Sequence, residues 1–196
     1  MAARSARARE HHHHLPPLVL MLLDIDHFKR INDVHGHEAG DQALIHFAEV
    51  LRHSSRSDDV AVRWGGEEFL WILPRLNPRE VEGVFLRLRA NLQSQPLMLS
   101  GEPHIIKVSA GYGFAPAWPS ADTSRALWLN IADAALYRSK AGGRDRIMGL
   151  LPTDQVDMDA ATLARMSIAN MLEDGGLREQ DMLRNSSNQT ATRPVH

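Results

Sequence analysis

No cysteine occurs among the 196 residues. That excludes a disulfide framework and any thiolate-bound metal, and it fits a reducing, cytoplasmic compartment. An excess of one charge is also missing. The 22 Lys and Arg nearly balance 24 Asp and Glu, for a formal net charge of -2. No bulk attraction to nucleic acid or to a membrane surface follows, although a local patch is not excluded. No apolar run reaches membrane-spanning length, and the stretch Leu15 to Leu23 is interrupted by Pro16 and Pro17. The amino terminus has arginines but no apolar signal region beside a cleavage site. What is present is ordinary for a soluble globular protein, 43% hydrophobic and 23% charged. The length suits one domain with a substantial core, or one domain plus a tail.

The most informative stretch runs from Val62 to Leu73. Gly65-Gly66 between two β-rich segments signals a tight hairpin, because such turns need positive φ. Glu67 and Glu68 follow at once. Acidic side chains do little for a hairpin's stability, so they either solvate a loop or bind a metal where the glycines leave room for a ligand. A second acidic feature lies upstream. Leu18 to Leu23 is continuously apolar and ends abruptly in Asp24-Ile25-Asp26. This pattern predicts a central strand buried on both faces, with its acids at the end where α/β sheets bind ligands. Two acids two residues apart on a strand point the same way. They repel unless a cation or water intervenes. The competing reading is that one of them caps the next helix.

The remaining punctuation orders the chain. His27 to Val34 is a short helix candidate ended by Gly36, and His37 to Asp41 is a polar turn. Asp41 opens a helix whose apolar face is Leu44, Phe47, Ala48 and Leu51. It reads as an N-cap or as a binding residue. Arg52 to Asp59 is a polar loop, and the hairpin spans Val60 to Leu73. Asn77 to Glu80 forms a capping box ahead of a helix with the apolar stripe Val81, Val84, Phe85, Leu88 and Leu92. Arg87 and Arg89 lie off that stripe. His104 to Phe114 reads as a strand whose small residues imply close approach by another backbone. Ala115 to Thr123 reads as a loop. Ser124 to Ala141 is a helix stopped by Gly142-Gly143, with Lys140 suited to its carboxyl-terminal dipole. Arg146 to Met148 is a short last strand. The domain is expected to span residues 18–150. Before it, residues 1–17 are either flexible or the remnant of a leading helix. Their run His11 to His14 is an adventitious metal binder or a tag remnant. After it, residues 151–196 form a tail with one helix, Met158 to Leu172, and a disordered end, Asn185 to His196. The element order is α+β, with helices over one face of a mainly antiparallel sheet.

If the first strand's end and the hairpin turn are neighbours, Asp24, Asp26, Glu67 and Glu68 converge. Carboxylates without thiolates or several well-placed imidazoles suit a hard cation, Mg²⁺ or Mn²⁺, over zinc. Such cations complete their shells with water and phosphates, and pairs of them assist phosphoryl or nucleotidyl transfer. Lys29, Lys140 and Arg144 are candidate phosphate clamps. The residues point to a metal-dependent enzyme acting on a nucleoside triphosphate.

Gly65-Gly66-Glu67-Glu68-Phe69 resembles the signature of GGDEF domains, the diguanylate cyclases of bacterial cyclic di-GMP signalling. The segments Asp24 to Asp33, Gly36 to Asp41 and Asp133 to Arg146 resemble the family's other blocks, in the family's order. The resemblance covers Leu18 to Met148 and implies a palm-like, mainly antiparallel central sheet flanked by helices. It implies that Asp24, the Ile25 carbonyl, Glu67 and Glu68 hold Mg²⁺ or Mn²⁺. It gives catalytic roles to Glu67, which assists deprotonation of the attacking 3′-hydroxyl, to Glu68 and to Lys29. Asn32 and Asp41 would read guanine, with His37 lining that pocket. A carboxylate can satisfy guanine's adjacent N–H donors, a pattern adenine lacks. Lys29, Lys140 and Arg144 would contact the β- and γ-phosphates, helped by the amides after Asp26. Arg56 and Asp59 stand where the family carries its product-inhibition site, with Arg87 as a second arginine from a partner domain. The implied reaction joins two GTP into cyclic di-GMP and two pyrophosphates across a homodimer.

The family's usual Asp-x-Leu-Thr turn and Asn-Arg pair are missing from Met1 to Pro17, so an upstream sensor is expected outside this chain. Two rival readings are a non-catalytic module holding cyclic di-GMP or GTP, and a cyclase making a different cyclic nucleotide. Intact Asp24, Glu67 and Glu68 favour the enzyme.

Overall fold

The apolar run at Leu18 forms β1, Leu18–Ile25, and every residue of it is buried. Burying one large apolar side chain stabilises a fold by roughly 1.5–3 kcal/mol, against at most about 1 kcal/mol for an exposed ion pair. The strand buried on both faces is therefore the element the domain is assembled on. The computed structural model describes residues 17–115, 122–153 and 168–181. Within them, β1 is followed by α1 (Phe28–His35), α2 (His37–Ser54), β2 (Val60–Gly65) and β3 (Glu68–Pro74). A 3-10 turn, Pro78–Glu80, leads into α3 (Val81–Ser94). Then come β4 (Leu97–Leu99), β5 (Glu102–His104), β6 (Val108–Ala115), α4 (Asp122–Ala141), β7 (Ile147–Pro152), α5 (Ile168–Glu173) and β8 (Leu177–Asp181).

Among the described residues, six strands form one sheet in the order β2-β3-β1-β6-β7-β8. All its neighbours are antiparallel except β6 and β7, so the expected α+β fold with a mainly antiparallel sheet is the one observed. Alternation along β1 separates two cores. Val19, Met21 and Leu23 pack with Phe47 of α2 and Phe85 of α3. Leu18, Leu20 and Leu22 pack with Trp128 and Ile131 of α4. Helices therefore cover both faces, and the expectation of one covered face is corrected. The β6-α4-β7 crossover joins parallel neighbours, so α4 must lie on a face, and it takes the side opposite α2 and α3.

Small residues set how closely α4 approaches. A Cβ on Gly111 would overlap the backbone of Ala132 and Leu136. Ser139, at the far end of the helix, donates to the Ala110 carbonyl at 2.5 Å. The close approach expected from the glycines of β6 is thus made by a helix backbone. The capping box at Asn77 and Glu80 forms as expected, and the stripe of α3 from Val81 to Leu92 is buried.

Several boundaries move. The polar turn expected at His37 to Asp41 is the first turn of α2, which places Asp41 inside the helix and removes its reading as an N-cap. Ala48, expected on the apolar face, is exposed. The strand expected from His104 to Phe114 is broken, because β5 ends at His104 and β6 begins at Val108. The boundary expected near Leu150 falls inside β7, and β8 pairs with that strand from Met148 to Pro152. The chain after Leu150 thus adds an edge strand to the sheet. It also completes a core contact, since the phenol of fully buried Tyr112 donates to Gln180 Oε1 at 3.1 Å. Burial holds that phenol well above its usual pKa. The readings of residues 1–16, of the loop at 116–121 and of residues 185–196 lie outside the described residues, as does most of the helix expected at Met158 to Leu172. Among the described residues, no helix is long and apolar enough to cross a membrane.

Gly111→Ala is expected to destabilise the fold by roughly 1–3 kcal/mol or more, because the added methyl meets backbone that cannot rotate away. Chemical denaturation with circular dichroism checks it. An unchanged midpoint would contradict the packing of α4 on β6.

Candidate active site

Register explains how residues distant in the chain meet. Asp24 lies directly opposite Glu68 in the β1–β3 ladder, and Gly65 opposite Glu68 in β2–β3. The Ile25 amide donates to the Glu67 carbonyl at 3.3 Å, which ties the hairpin tip to the end of the central strand. The two-residue loop is Gly66-Glu67, one position later than the Gly65-Gly66 turn expected. Gly66 has φ +50°, the conformation that favours glycine. Gly65 has no such φ, and a Cβ there would meet nothing within 4 Å. Neither backbone nor packing among the described residues calls for glycine at that position.

Asp24 is buried, with its charge opposed from two directions. Its carboxyl is pushed up from the ordinary 3.8 to about 6, first by burial and further by Glu67 and Glu68. The Lys140 ammonium works against the shift, donating to Asp24 Oδ2 at 2.6 Å. Lys140, expected as a phosphate clamp, is thus the counter-ion of an acid in this structure. Among the described residues no three His, Asp or Glu side chains are gathered tightly enough to form a ready metal shell. The donor set still fits a hard cation. It is all oxygen, it is anionic, and its buried member is strained by like charges that a dication would relieve.

Asp26 behaves differently from Asp24, and its expected convergence with the other acids is corrected. The strand ends at Ile25, and His27 takes a left-handed conformation that turns the chain. Asp26 Oδ1 accepts from the Ser109 hydroxyl at 2.7 Å, and Oδ2 from the Asp145 amide at 2.9 Å. Neither acid caps α1, whose N-cap is His27 without a side-chain cap bond. Simple alternation could not reveal this, because it holds only while the strand continues.

The proposed base readers lie at the junction of α1 and α2. A Cβ on Gly40 would overlap Asn32 Oδ1, so the missing side chain leaves room for the Asn32 amide beside the turn that carries Asp41. That steric role of Gly40 was missed in the sequence, where Gly40 reads as part of a polar turn. Asp41, His37 and Lys29 are exposed on these helices, and Arg144 is exposed beyond α4. Arg56 and Asp59 share a cavity of about 480 Å³ with Arg52, Arg63 and Phe69. Within it, Asp59 Oδ2 accepts from the Arg56 amide at 2.7 Å, so part of the motif's geometry is that of a self-bonded loop. Arg87 donates to the Ser54 carbonyl at 3.1 Å.

Comparison with known proteins gives a consistent result. Residues 2–146 match the family described as diguanylate cyclase, GGDEF domain. The chain is 44% identical over 130 residues to diguanylate cyclase DgcP of Pseudomonas aeruginosa, covering 66% of this chain and 19% of that protein. It is 35% identical over 133 residues to response regulator PleD of Caulobacter vibrioides, covering 68% and 29%. The chain therefore spans well under half the length of these curated relatives. Among solved structures it resembles the GGDEF domain of DgcB from Caulobacter crescentus, determined in complex with c-di-GMP. The TM-score is 0.61 at 36% identity, over 68% of this chain and 78% of that one. It also resembles the active GGEEF domain of a diguanylate cyclase from Vibrio cholerae, with TM-score 0.58 at 29% identity, over 74% and 86%.

The raised carboxyl of Asp24 has a stability consequence. A folded-state value of about 6 against 3.8 means that the protonated form's stabilisation is complete below about pH 4 and is lost as pH rises through about 6. Asp24→Asn, which stays neutral, should therefore melt with the wild type near pH 4. It should melt higher than the wild type at about pH 7.5 in a chelator. A lower melting temperature at the higher pH would show that the Lys140 ion pair outweighs burial and repulsion.

Proposed function

The chain belongs to the GGDEF family, and on that premise we propose that it is a diguanylate cyclase, joining two GTP into cyclic di-GMP with release of two pyrophosphates. The observation that carries the reading is the meeting of buried Asp24 with Glu67, Glu68 and Lys140 at one end of the central strand. Burial and like charges hold the Asp24 carboxyl up at about 6, an arrangement that a bound cation would relieve.

In this reading Asp24, the Ile25 carbonyl, Glu67 and Glu68 would hold Mg²⁺ or Mn²⁺. The bound ion supplies charge stabilisation at the reacting phosphate and acidifies the attacking hydroxyl. Glu67, at the tip of the turn, accepts the proton of the 3′-hydroxyl. That oxygen forms a bond to the α-phosphorus of the other GTP, and the bond to pyrophosphate breaks. Lys29, Lys140 and Arg144 hold the β- and γ-phosphates, with the first amides of α1 beside them. Lys140 then has two partners in turn. It pairs with Asp24 in the structure and would turn to the β- and γ-phosphates with a cation bound beside Asp24. Asn32 and Asp41 select guanine, with His37 beside them. An acceptor carboxylate left unpaired by adenine gives the discrimination. Each domain holds one GTP, so two copies must face each other to complete both bonds. The cavity bearing Arg56 and Asp59 supports a second reading of that surface as a product site. There Arg meets the acceptor edge of a guanine and Asp its donor edge, with Arg87 contributed from a partner domain.

Purified protein with Mg²⁺ and GTP should make cyclic di-GMP, with specific activity rising as protein concentration rises. Glu67→Ala should lower it by roughly 100-fold or more. No product at high protein concentration would sink the enzyme reading and leave a binding module. ATP turned over as readily as GTP would indicate a different cyclic product.

Arg56→Ala should relieve inhibition by added cyclic di-GMP and raise product accumulation while leaving the initial rate near wild type. Unaltered inhibition would place feedback elsewhere.

A further inference from the structure

Arg144 and Asp145, two successive residues that are not glycine, have left-handed backbones with φ +63° and +48°. Such conformations cost energy, persist only where the surroundings over-determine them, and gather at functional sites. Both residues lie in the turn between α4 and β7. The turn is held on every side. The Arg144 amide donates to the Ser139 carbonyl at 3.1 Å, and its own carbonyl accepts from Arg146 Nε at 3.2 Å. The Asp145 amide donates to buried Asp26, which is itself fixed by Ser109. The Asp145 carboxylate receives the full fork of Arg89, Nε to Oδ1 and Nη2 to Oδ2, each at 3.0 Å. Lys107 Nζ stands 3.6 Å from the same carboxylate. The end of β1, the start of β6 and the middle of α3 thus close on one residue.

Holding α3 to the sheet does not require this arrangement. That helix already buries Val81, Val84, Phe85, Leu88 and Leu92. A part-buried ion pair adds little net stability once its desolvation is counted, whereas a planar fork on a carboxylate fixes geometry. We propose that Arg89 and Asp145 position Arg144, locking the strained turn so that the Arg144 guanidinium meets the terminal phosphates of GTP. This rests on the reading of Arg144 as a phosphate contact. Arg89 touches no substrate. It is a positioning residue acting through Asp145, and Asp26 serves the same turn from below.

The test is a double-mutant cycle read by calorimetry in Mg²⁺. The ligands are 3′-deoxy-GTP, which binds without reacting, and guanosine monophosphate, which lacks the β- and γ-phosphates. Arg144→Ala and Arg89→Ala should each weaken the triphosphate by about tenfold, the size of a lost charge-assisted contact. The double variant should bind no more weakly than either single one. Monophosphate binding should stay at the wild-type level. Arg89→Lys, which keeps the charge and loses the fork, should recover at most part of the affinity. If Arg89→Ala does not fold, Asp145→Asn removes the fork's acceptor charge while tolerating the left-handed backbone, and the same losses are expected. Additive losses in the double variant, equal losses for the monophosphate, or full recovery by lysine would overturn the proposal. So would wild-type affinity in Arg89→Ala. A wild type that binds no triphosphate would instead sink the cyclase reading, and this proposal with it.

Discussion

A carboxylate buried at the end of a strand that is itself buried on both faces needs a cation beside it. Asp24 is in that position, and much of the domain follows from supplying what it needs. The hairpin places Glu67 and Glu68 against it and makes the need greater. Helix α4 supplies Lys140 from 116 residues away. The helix can do so only because Gly111 lets its backbone lie on β6 and Ser139 fastens its last turns to Ala110. An ammonium on a flexible stem is a replaceable counter-ion.

Two acids separated by one residue serve different ends. Asp24 belongs to the strand and faces the hairpin. Asp26 lies past the strand end, where left-handed His27 redirects the chain, and it is spent on Ser109 and on the turn after α4. One acid meets Glu68 and Lys140, and the other holds the turn that carries Arg144. The late edge strand β8 belongs to the same economy of support. It covers Tyr112, and its Glu179 pairs with Arg138 of α4 at 2.6 Å. The chain beyond Leu150 therefore braces the helix that delivers Lys140.

Much was legible before any fold was known. The buried strand from Leu18, the capping box at Asn77, the stripe of α3, the helix stop at Gly142 and the hairpin at Gly66 are local patterns. Each depends on a residue and neighbours within a turn or a pleat, and those neighbours are adjacent in the chain. The family blocks likewise contain Asp24, Glu67, Glu68 and Lys140, which the fold brings together. The start of α2 is not legible because His37 to Asp41 is polar, glycine-containing and yet helical; its burial is decided by α1 lying against it. β8 was missed because Leu177 to Asp181 is too short and too polar to announce a strand without β7 beside it.

Residue types, their periodicity and their order thus determined the fold class and the inventory of charged groups. Tertiary structure alone decided the partners of those charges. Asp24 took Lys140, Asp26 took Ser109 and the Asp145 amide, and Asp145 took Arg89, at separations of 116, 83, 119 and 56 residues. An ion pair or hydrogen bond has a range of a few ångströms. Across such separations it is set by sheet register and helix approach, which no local pattern encodes.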